Sequence, residues 1–182
     1  ESEYGKLYMR TLEYCFVRLR SAKEIRDYLW RKTRTRMVKK RVYTKAAGQT
    51  PTIDMKLVEQ PGVSQSIADR VYQRLEQKGY IDDEKFARSW LENRSLSKGA
   101  SQRKLSAELR AKGVAASIID ELQKDSPRRD EEELVKIYQK KQHRYSDPVK
   151  LKQYLLRQGF SYELVNQFVR ARDQDAVDSG MD

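Results

Sequence analysis

Cysteine, proline, glycine and long apolar runs are all scarce in this 182-residue chain, and each scarcity excludes a class of protein. The single cysteine, Cys15, excludes an intramolecular disulfide framework and is typical of a reducing compartment. No apolar run approaches the roughly 18 residues of a membrane-spanning helix, and no signal peptide is visible. We therefore predict a cytoplasmic protein without membrane association. Four prolines and eight glycines leave few breaks in regular structure, which favours helices.

Groups suited to catalysis are equally scarce. The only histidine in the sequence, His143, lies in a polar segment, whereas Cys15 lies on an apolar helical face, so a nucleophile–base pair is not favoured. Asp82, Asp83 and Glu84 are consecutive at a helix start, so their side chains point in different directions. That arrangement favours helix capping over metal coordination. We predict a protein that is not an enzyme, with no catalytic residues, no cofactor and no metal.

Charge, by contrast, is abundant. Charged residues make up 36% of the chain and hydrophobic residues only 38%, a balance typical of solvated amphipathic helices. Lys and Arg outnumber Asp and Glu by 38 to 27, which gives a net charge of +11. Such a charge predicts an acidic partner: nucleic acid, a nucleoprotein or an acidic protein surface. Solubility alone is the alternative explanation.

The segment Gly-Tyr-Ile-Asp-Asp-Glu-Lys-Phe-Ala at 79–87 joins two predicted helices with almost nothing between them. Gly79 is predicted to end the first helix in the left-handed conformation, with Tyr80 folding back over Leu75 as in a Schellman cap. Asp82 or Asp83 is predicted to cap the second helix, because acidic groups suit the positive end of the helix dipole. This joint organises the sequence around it.

Further helices are indicated by capping residues. Ser21 and Glu24 form a capping box, and the pairs Ser126-Pro127 and Asp147-Pro148 each predict a helix start. The apolar stripe of the first helix is predicted to be Leu12, Cys15, Phe16 and Leu19. Residues 173–182 contain four aspartates and no basic residue, which predicts a disordered acidic tail.

A basic stretch interrupts the helical pattern early in the chain. Residues 31–45 hold eight basic residues and no acidic one, with β-branched and aromatic residues among them. Turn residues follow at 48–51, and apolar residues from Ile53 to Leu57 alternate with polar neighbours. This pattern predicts a β-hairpin across roughly 35–58, and disorder is the alternative.

An internal repeat organises the helices. Seven core or cap positions recur at an offset of 46 residues. The first copy of the set is Leu105, Leu109, Gly113, Val114, Ile118, Ile119 and Leu122, and the second is Leu151, Leu155, Gly159, Phe160, Leu164, Val165 and Phe168. An earlier copy is predicted if Ile25, Leu29, Gly62, Ile67 and Val71 match Leu105, Leu109, Gly113, Ile118 and Leu122, with the basic stretch as an insertion.

The fold class predicted from this repeat is all-α. It consists of three tandem three-helix repeats stacked into an elongated, curved array, with a basic insertion in the first repeat. We predict repeat 1 at 1–80, with the insertion at about 33–61, repeat 2 at 81–125, repeat 3 at 126–172, and the acidic tail at 173–182.

The joint and the repeats together resemble the RecX family of regulatory proteins of bacterial recombination. The matching residues are Gly79, Tyr80, Ile81, Asp82, Asp83, Phe86, Ala87, Arg94, Gly99, Leu105, Glu108, Leu109, Lys112, Gly113, Val114, Gly159 and Phe160. The resemblance covers roughly residues 7–170, and the insertion after Trp30 departs from the compact first repeat of that family. It implies a modulator that binds in the groove of filaments of the RecA recombinase on DNA and dampens ATP hydrolysis and strand exchange, and with them recombination and the SOS response. It further implies a monomer that binds single- or double-stranded DNA weakly and non-specifically on its own.

Basic residues supply the candidate contacts. In stacked repeats, equivalent cations align into a stripe that suits a repeating anionic partner. The candidates for partner or DNA binding are Arg34, Arg36, Lys39, Lys40, Arg41, Arg88, Arg94, Arg103, Lys104, Arg110, Lys112, Lys140, Lys141 and Arg144. Trp30, Tyr43 and Trp90 are candidates for stacking on bases, although Trp90 is better explained as core. The alternative function is a stand-alone DNA-binding protein, with a three-helix unit acting as a helix-turn-helix.

Overall fold

The computed structural model describes residues 2–44, 52–97, 99–126, 129–145 and 147–178, and for 44, 52–54, 94–97 and 173–178 it describes the backbone alone. Within these ranges the chain forms nine α-helices and one antiparallel hairpin, so the predicted helical fold with a hairpin is confirmed. The chain divides into two compact units, unit 1 at Glu1–Asp82 and unit 2 at Asp83–Asp182. Unit 1 contains α1 (Glu3–Val17), α2 (Ala22–Thr33), β1 (Arg36–Thr44), β2 (Thr52–Gln60) and α3 (Gln65–Gln77). Unit 2 contains α4 (Asp83–Ser97), α5 (Gln102–Ala111), α6 (Ala116–Lys124), α7 (Asp130–Lys141), a 3-10 turn (Gln142–Arg144), α8 (Pro148–Arg157) and α9 (Tyr162–Asp178).

The core of unit 1 lies between α1, α2 and α3. Its buried residues are Leu7, Ile25, Leu29, Ala68, Val71 and Leu75. The predicted capping box begins α2: the Ser21 hydroxyl accepts from the Glu24 amide at 3.2 Å, and the Glu24 carboxylate accepts from the Ser21 amide at 3.4 Å. Local capping and the apolar stripes of α2 and α3 thus account for two of the three helices.

The first helix packs differently from the prediction. Phe16 is 69% exposed and Leu19 lies beyond the end of α1, whereas Leu7 and Thr11 are buried. Thr11 tolerates burial because its hydroxyl donates to the Leu7 carbonyl at 2.7 Å, which satisfies the polar group. Phe16 instead meets the Tyr80 ring edge-on, with ring centroids 5.7 Å apart. The predicted stripe is therefore wrong for Phe16, because α2 and α3 cover a face of α1 that includes Leu7.

The predicted hairpin is confirmed and is slightly longer than expected. β1 and β2 pair in antiparallel register over nine positions each, from Arg36 opposite Gln60 to Thr44 opposite Thr52. The predicted turn at 48–51 lies outside the described residues. At about 3.3 Å per residue, nine residues make a ribbon about 30 Å long. The core of unit 1 includes none of the described hairpin residues.

The two ends of the insertion meet at Gly62. The Val63 amide donates to the Lys32 carbonyl at 2.9 Å, so the chain leaves α2 and returns for α3 at nearly the same point. A Cβ on Gly62 would fall on the carbonyl group of Thr33 and lie 2.7 Å from the Arg34 amide. Gly62 does not have the positive φ of Gly113, its predicted equivalent, so its role is close backbone approach instead of a left-handed cap.

The described residues of unit 2 form two hydrophobic clusters, each drawn from three consecutive helices. The first, from α4 to α6, contains Phe86, Ala87, Leu109, Val114, Ile119 and Leu122. The second, from α7 to α9, contains Leu134, Ile137, Leu155, Phe160 and Val165. This grouping is consistent with the repeat pattern, and the division into three repeats stays a prediction.

Helix ends in unit 2 agree only partly with the sequence. Asp147 caps α8 as predicted, since its carboxylate accepts from the Val149 amide at 2.8 Å and Pro148 is the first helical residue. The start predicted at 126–127 is not found, because α7 begins at Asp130; Pro127 itself lies outside the described residues. The backbone of α9 continues to Asp178, which places six residues of the predicted disordered tail in a helix.

The Schellman cap at the end of α3 is present. Gly79 has φ +72°, its amide donates to the Glu76 carbonyl at 2.9 Å, and the Tyr80 amide donates to the Leu75 carbonyl at 3.0 Å. Both bonds are those of the motif. Since α4 begins at Asp83, Asp82 stands at the N-cap position of the helix that follows.

Replacing Gly79 with Val should destabilise unit 1 by more than about 1 kcal/mol, because a β-branched residue resists positive φ. A Cβ there meets nothing within 4 Å, so the loss comes from the backbone conformation and not from a clash. Asn at position 79 is the matched control, because Asn tolerates the left-handed region and should lose less. Urea unfolding followed by circular dichroism measures the free energy of unfolding of both variants. Equal stability of wild type and the Val variant would contradict the cap.

Candidate nucleic-acid interface

Positive charge is concentrated in unit 1. Residues 1–82 contain 18 Lys and Arg against 10 Asp and Glu, a net charge of +8, whereas residues 83–182 contain 20 against 17, a net charge of +3. An anionic partner is therefore attracted most strongly to unit 1. Within unit 1 the basic hairpin and its base carry the densest cationic stretch.

One face of the hairpin combines cations with exposed apolar groups. Directly paired residues of an antiparallel ribbon share a face. We name one such set the ribbon face: Met37, Lys39, Arg41, Tyr43, Met55, Leu57 and the carboxylate Glu59, which lies opposite Met37. All seven side chains are exposed, and Tyr43 reaches 70%. In nucleic-acid-binding proteins, exposed cations contact phosphates, and aromatic and apolar side chains beside them contact bases.

The opposite face is less exposed. Val38, Val42 and Val58 are half-buried there, while Arg36 and Lys40 extend into solvent. The five predicted candidates from Arg34 to Arg41 are therefore all exposed, but they divide between the two faces and the approach to β1. Before the hairpin, the Arg34 guanidinium lies 4.6 Å from the centre of the Trp30 ring, and Trp30 is 54% exposed. Trp30 is thus a surface residue with a cation stacked on it.

A basic cleft opens at the base of the hairpin, and sequence reasoning missed most of it. The cleft has a volume of about 250 Å³ and lies between α1, the end of α2 and the segment before α3. Its cations are Lys6, Arg10, Arg31, Lys32, Arg34 and Arg36. Only the last two are among the sequence candidates. Lys6 and Arg10 are four residues apart and so share one face of α1, a signal that was available in the sequence.

Lys32 shows how strongly the positive charges of the cleft interact. Burial lowers the pKa of Lys32 below its ordinary value of 10.5, and the nearby charges of Arg36, Arg10 and Arg31 lower it further. The first effect is desolvation and the second is repulsion between like charges. An anion in the cleft would reverse the second effect.

Lys104, a predicted binding residue, has internal partners in unit 2. Its ammonium donates to the Arg157 carbonyl at 3.1 Å and to the Gln158 side chain at 2.9 Å. Lys104 thereby joins the start of α5 to the end of α8. Its charge is engaged in holding the two helices together, so a role in binding is less supported than for the exposed cations.

Arg88 and Lys112 also contact other side chains. The Arg88 guanidinium pairs with Glu84 at 2.9 Å, one turn away on an exposed face of α4. The Lys112 ammonium lies 5.3 Å from the centre of the Trp90 ring. Trp90 is half-buried against the first cluster of unit 2, which agrees with its interpretation as core, and its indole donates to Glu108 at 3.2 Å.

The remaining candidates of unit 2 lie on three elements. Arg103 and Arg110 are exposed on α5, seven residues apart and hence on one face. Lys140 and Arg144 are exposed at the end of α7 and in the 3-10 turn, and Lys141 is half-buried. Arg94 lies in α4, but its side chain is outside the described part of the structure.

The chemically reactive groups do not form a site in the described parts of either unit. Cys15 packs half-buried on α1 against the core of unit 1, and burial raises the pKa of its thiol, an effect that Arg20 partly offsets. A raised pKa leaves less thiolate, the nucleophilic form. Among the described residues there is no group of three or more side chains that would hold a metal ion. Over the same residues, no helix is long and apolar enough to cross a membrane.

These observations define a class: a helical protein with three-helix core clusters in unit 2 and a basic β-ribbon inserted in unit 1. Residues 82–122 match the family model described as RecX, second three-helix domain. The matched residues fall within 81–125, the span predicted for repeat 2. The predicted resemblance to the RecX family is therefore confirmed.

Named relatives show the same resemblance to the RecX family. The Regulatory protein RecX of Mycolicibacterium vanbaalenii is 48% identical over 59 residues, 32% of this chain and 32% of that protein. The Regulatory protein RecX of Streptomyces coelicolor is 41% identical over 58 residues, 32% of this chain and 31% of that protein. The matched segment spans about a third of the length of these relatives.

Solved structures extend the likeness of fold to nearly the whole chain. The crystal structure of RecX from Lactobacillus salivarius superposes with a TM-score of 0.62 at 21% identity, covering 94% of this chain and 97% of that one. Another crystal structure of regulatory protein RecX has a TM-score of 0.62 at 20% identity, covering 90% of this chain and 70% of that one. The fold is thus that of the solved RecX proteins.

Proposed function

We propose that this chain is a regulator of the RecA recombinase, which binds RecA filaments on DNA and inhibits their ATP hydrolysis and strand exchange. The observation that carries the proposal is the exposed basic ribbon on a helical protein of RecX-type fold. Regulation of recombination and of the SOS response would follow, because both depend on the RecA filament.

The ribbon suits a nucleoprotein partner. A groove of duplex DNA about 12 Å wide admits a two-stranded β-ribbon, and phosphates along it attract Lys and Arg. Lys39 and Arg41 are exposed on the ribbon face, with Tyr43 at its far end. The hairpin would contact filament-bound DNA, while the helices, with Arg103 and Arg110 exposed on α5, contact the recombinase.

Binding to DNA alone is expected to be weak and non-specific. Contacts from flexible Lys and Arg side chains to phosphates carry no sequence information. Tight binding would require RecA as well as DNA, which separates a filament regulator from a stand-alone helix-turn-helix protein.

The test is co-sedimentation of the purified chain with RecA–DNA filaments and, in parallel, with naked duplex and single-stranded DNA. We expect retention on filaments at protein concentrations that leave naked DNA unbound, together with slower ATP hydrolysis by RecA. The chain alone should hydrolyse no ATP and should not cleave DNA with Mg²⁺. Sequence-selective binding to a naked duplex, with no effect on RecA, would overturn the proposal in favour of a DNA-binding module.

A further inference from the structure

The cleft at the base of the hairpin gathers cations from three separate segments. Lys6 and Arg10 come from α1, Arg31 and Lys32 from the last turn of α2, and Arg34 and Arg36 from the approach to and start of β1. One carboxylate, Glu3, also lines the cleft. Among the described residues that line the cleft, six cations outnumber one carboxylate, so the cations repel one another unless an anion joins them.

The geometry of the cleft is held by the backbone. The bond from the Val63 amide to the Lys32 carbonyl, at 2.9 Å, and the contact of Gly62 with Thr33 keep the base of the hairpin against the end of α2. The backbone that carries these cations is thereby fixed at the base of the hairpin, so a ligand would need to order only their side chains. Such an arrangement costs folding free energy, which a bound anion would offset.

We propose that this cleft is a phosphate-binding site that takes a backbone phosphate of a nucleic acid. Arginine presents a planar fork of donors that matches phosphate oxygens, and four of the six cations are arginines. The volume of about 250 Å³ is below the roughly 300–1,000 Å³ of typical small-molecule pockets, which suits a phosphate group more than a whole nucleotide.

Continuity with the hairpin favours nucleic acid over a free anion. Arg36 lines the cleft and is also the first residue of β1, and Lys40 and its strand partner Lys56 follow on the same face of the hairpin. A free phosphate ion needs only the cleft, whereas a chain of phosphates uses the cleft and the cations that follow on that face. The cleft would hold one phosphate and so set where the strand meets the ribbon.

This inference deepens the proposed function by adding a DNA contact, and its test uses no RecA. If the cleft does not bind nucleic acid, the chain could still regulate RecA through other surfaces. Conversely, if the chain binds DNA through the cleft but does not bind RecA filaments, only the proposed function is overturned.

The experiment compares two double variants of the full chain. The cleft variant carries Arg10→Gln and Arg31→Gln, and the matched control carries Arg74→Gln and Lys78→Gln, two exposed cations of unit 1 outside the cleft. Both variants have two positive charges fewer than wild type. Fluorescence anisotropy with a labelled single-stranded oligonucleotide of mixed sequence gives the affinity over a range of salt concentrations.

We expect the cleft variant to bind the oligonucleotide about tenfold more weakly or worse, since it cannot form the charge-assisted hydrogen bonds of the two arginines. The slope of its log affinity against log salt should flatten by about 0.7 for each phosphate of single-stranded DNA that the variant no longer neutralises. The control should stay within about twofold of wild type. The cleft variant should also be at least as stable as wild type, because repulsion is removed, so loss of folding does not explain weaker binding.

A second readout follows Lys32 by NMR during titration with inorganic phosphate. Phosphate in the cleft should raise the Lys32 pKa towards its ordinary value, and the cleft variant should show a smaller rise. Equal oligonucleotide affinity in the cleft and control variants would overturn the assignment to nucleic acid, even if inorganic phosphate still moves Lys32. If phosphate leaves the Lys32 pKa unchanged and the cleft and control variants bind the oligonucleotide equally well, the phosphate site is overturned altogether.

Discussion

Replacing Arg36, Lys39, Lys40 and Arg41 together with alanine should weaken binding to RecA–DNA filaments strongly and flatten its salt dependence. Each phosphate that a cation neutralises adds about 0.7 to 0.9 to the slope of log affinity against log salt. If only three of the four replaced cations contact phosphates, their loss lowers the slope by roughly 2 to 3. All four side chains are exposed on the hairpin, and none belongs to the core of unit 1. The melting temperature and helical content should therefore change little.

The matched control removes four exposed cations from elsewhere: Arg74, Lys78, Lys124 and Lys150. It has the same net charge as the hairpin variant, so a comparison of the two separates a local effect from the general field of the protein. Binding to filaments is measured at several salt concentrations for both variants. If the hairpin variant keeps the affinity and slope of the control, the ribbon is only a solvated insertion, and the binding surface must lie on the helices.

Replacing Gly62 with alanine should produce the largest loss of stability among single substitutions in unit 1 outside its core. The new Cβ would collide with the carbonyl of Thr33 and lie 2.7 Å from the Arg34 amide, both backbone groups that no side-chain rotation can move away. Forcing the segments apart would also stretch the bond from the Val63 amide to the Lys32 carbonyl. Overpacking and a broken hydrogen bond together predict a loss of about 2–4 kcal/mol in unfolding free energy.

Gly79→Ala is the matched control for this substitution. It makes the same chemical change in the same unit, but the added Cβ meets nothing within 4 Å, so only the positive φ of position 79 penalises it. Hydrogen exchange of the Val63 amide distinguishes the two variants. Exchange should accelerate in Gly62→Ala and stay near wild type in Gly79→Ala. Unchanged protection of Val63 in the Gly62 variant would show that the hairpin is not held at this point.

Local features of the sequence predicted local structure well. The capping box of Ser21 and Glu24, the Schellman cap at Gly79 and the Asp147 cap before Pro148 all involve groups within five residues of one another. The two side-chain caps depend on side-chain type and spacing, and the Schellman cap depends on a glycine that takes positive φ, so the local sequence is enough to predict all three. The alternation that predicted the hairpin is local in the same way, because successive side chains of a strand point to opposite faces.

The sequence by itself therefore determined a basic, mostly helical chain with a β-ribbon insertion, and its motif residues revealed the resemblance to the RecX family. Tertiary structure alone decided which side chains are exposed and which already have partners, because burial and hydrogen bonding depend on groups far apart in the chain. Phe16 is exposed because α2 and α3 cover another face of α1, and Lys104 is occupied by a carbonyl 53 residues away. The basic cleft exists only because Gly62 lets the chain close on Thr33, which brings Arg36 to the cations of α1.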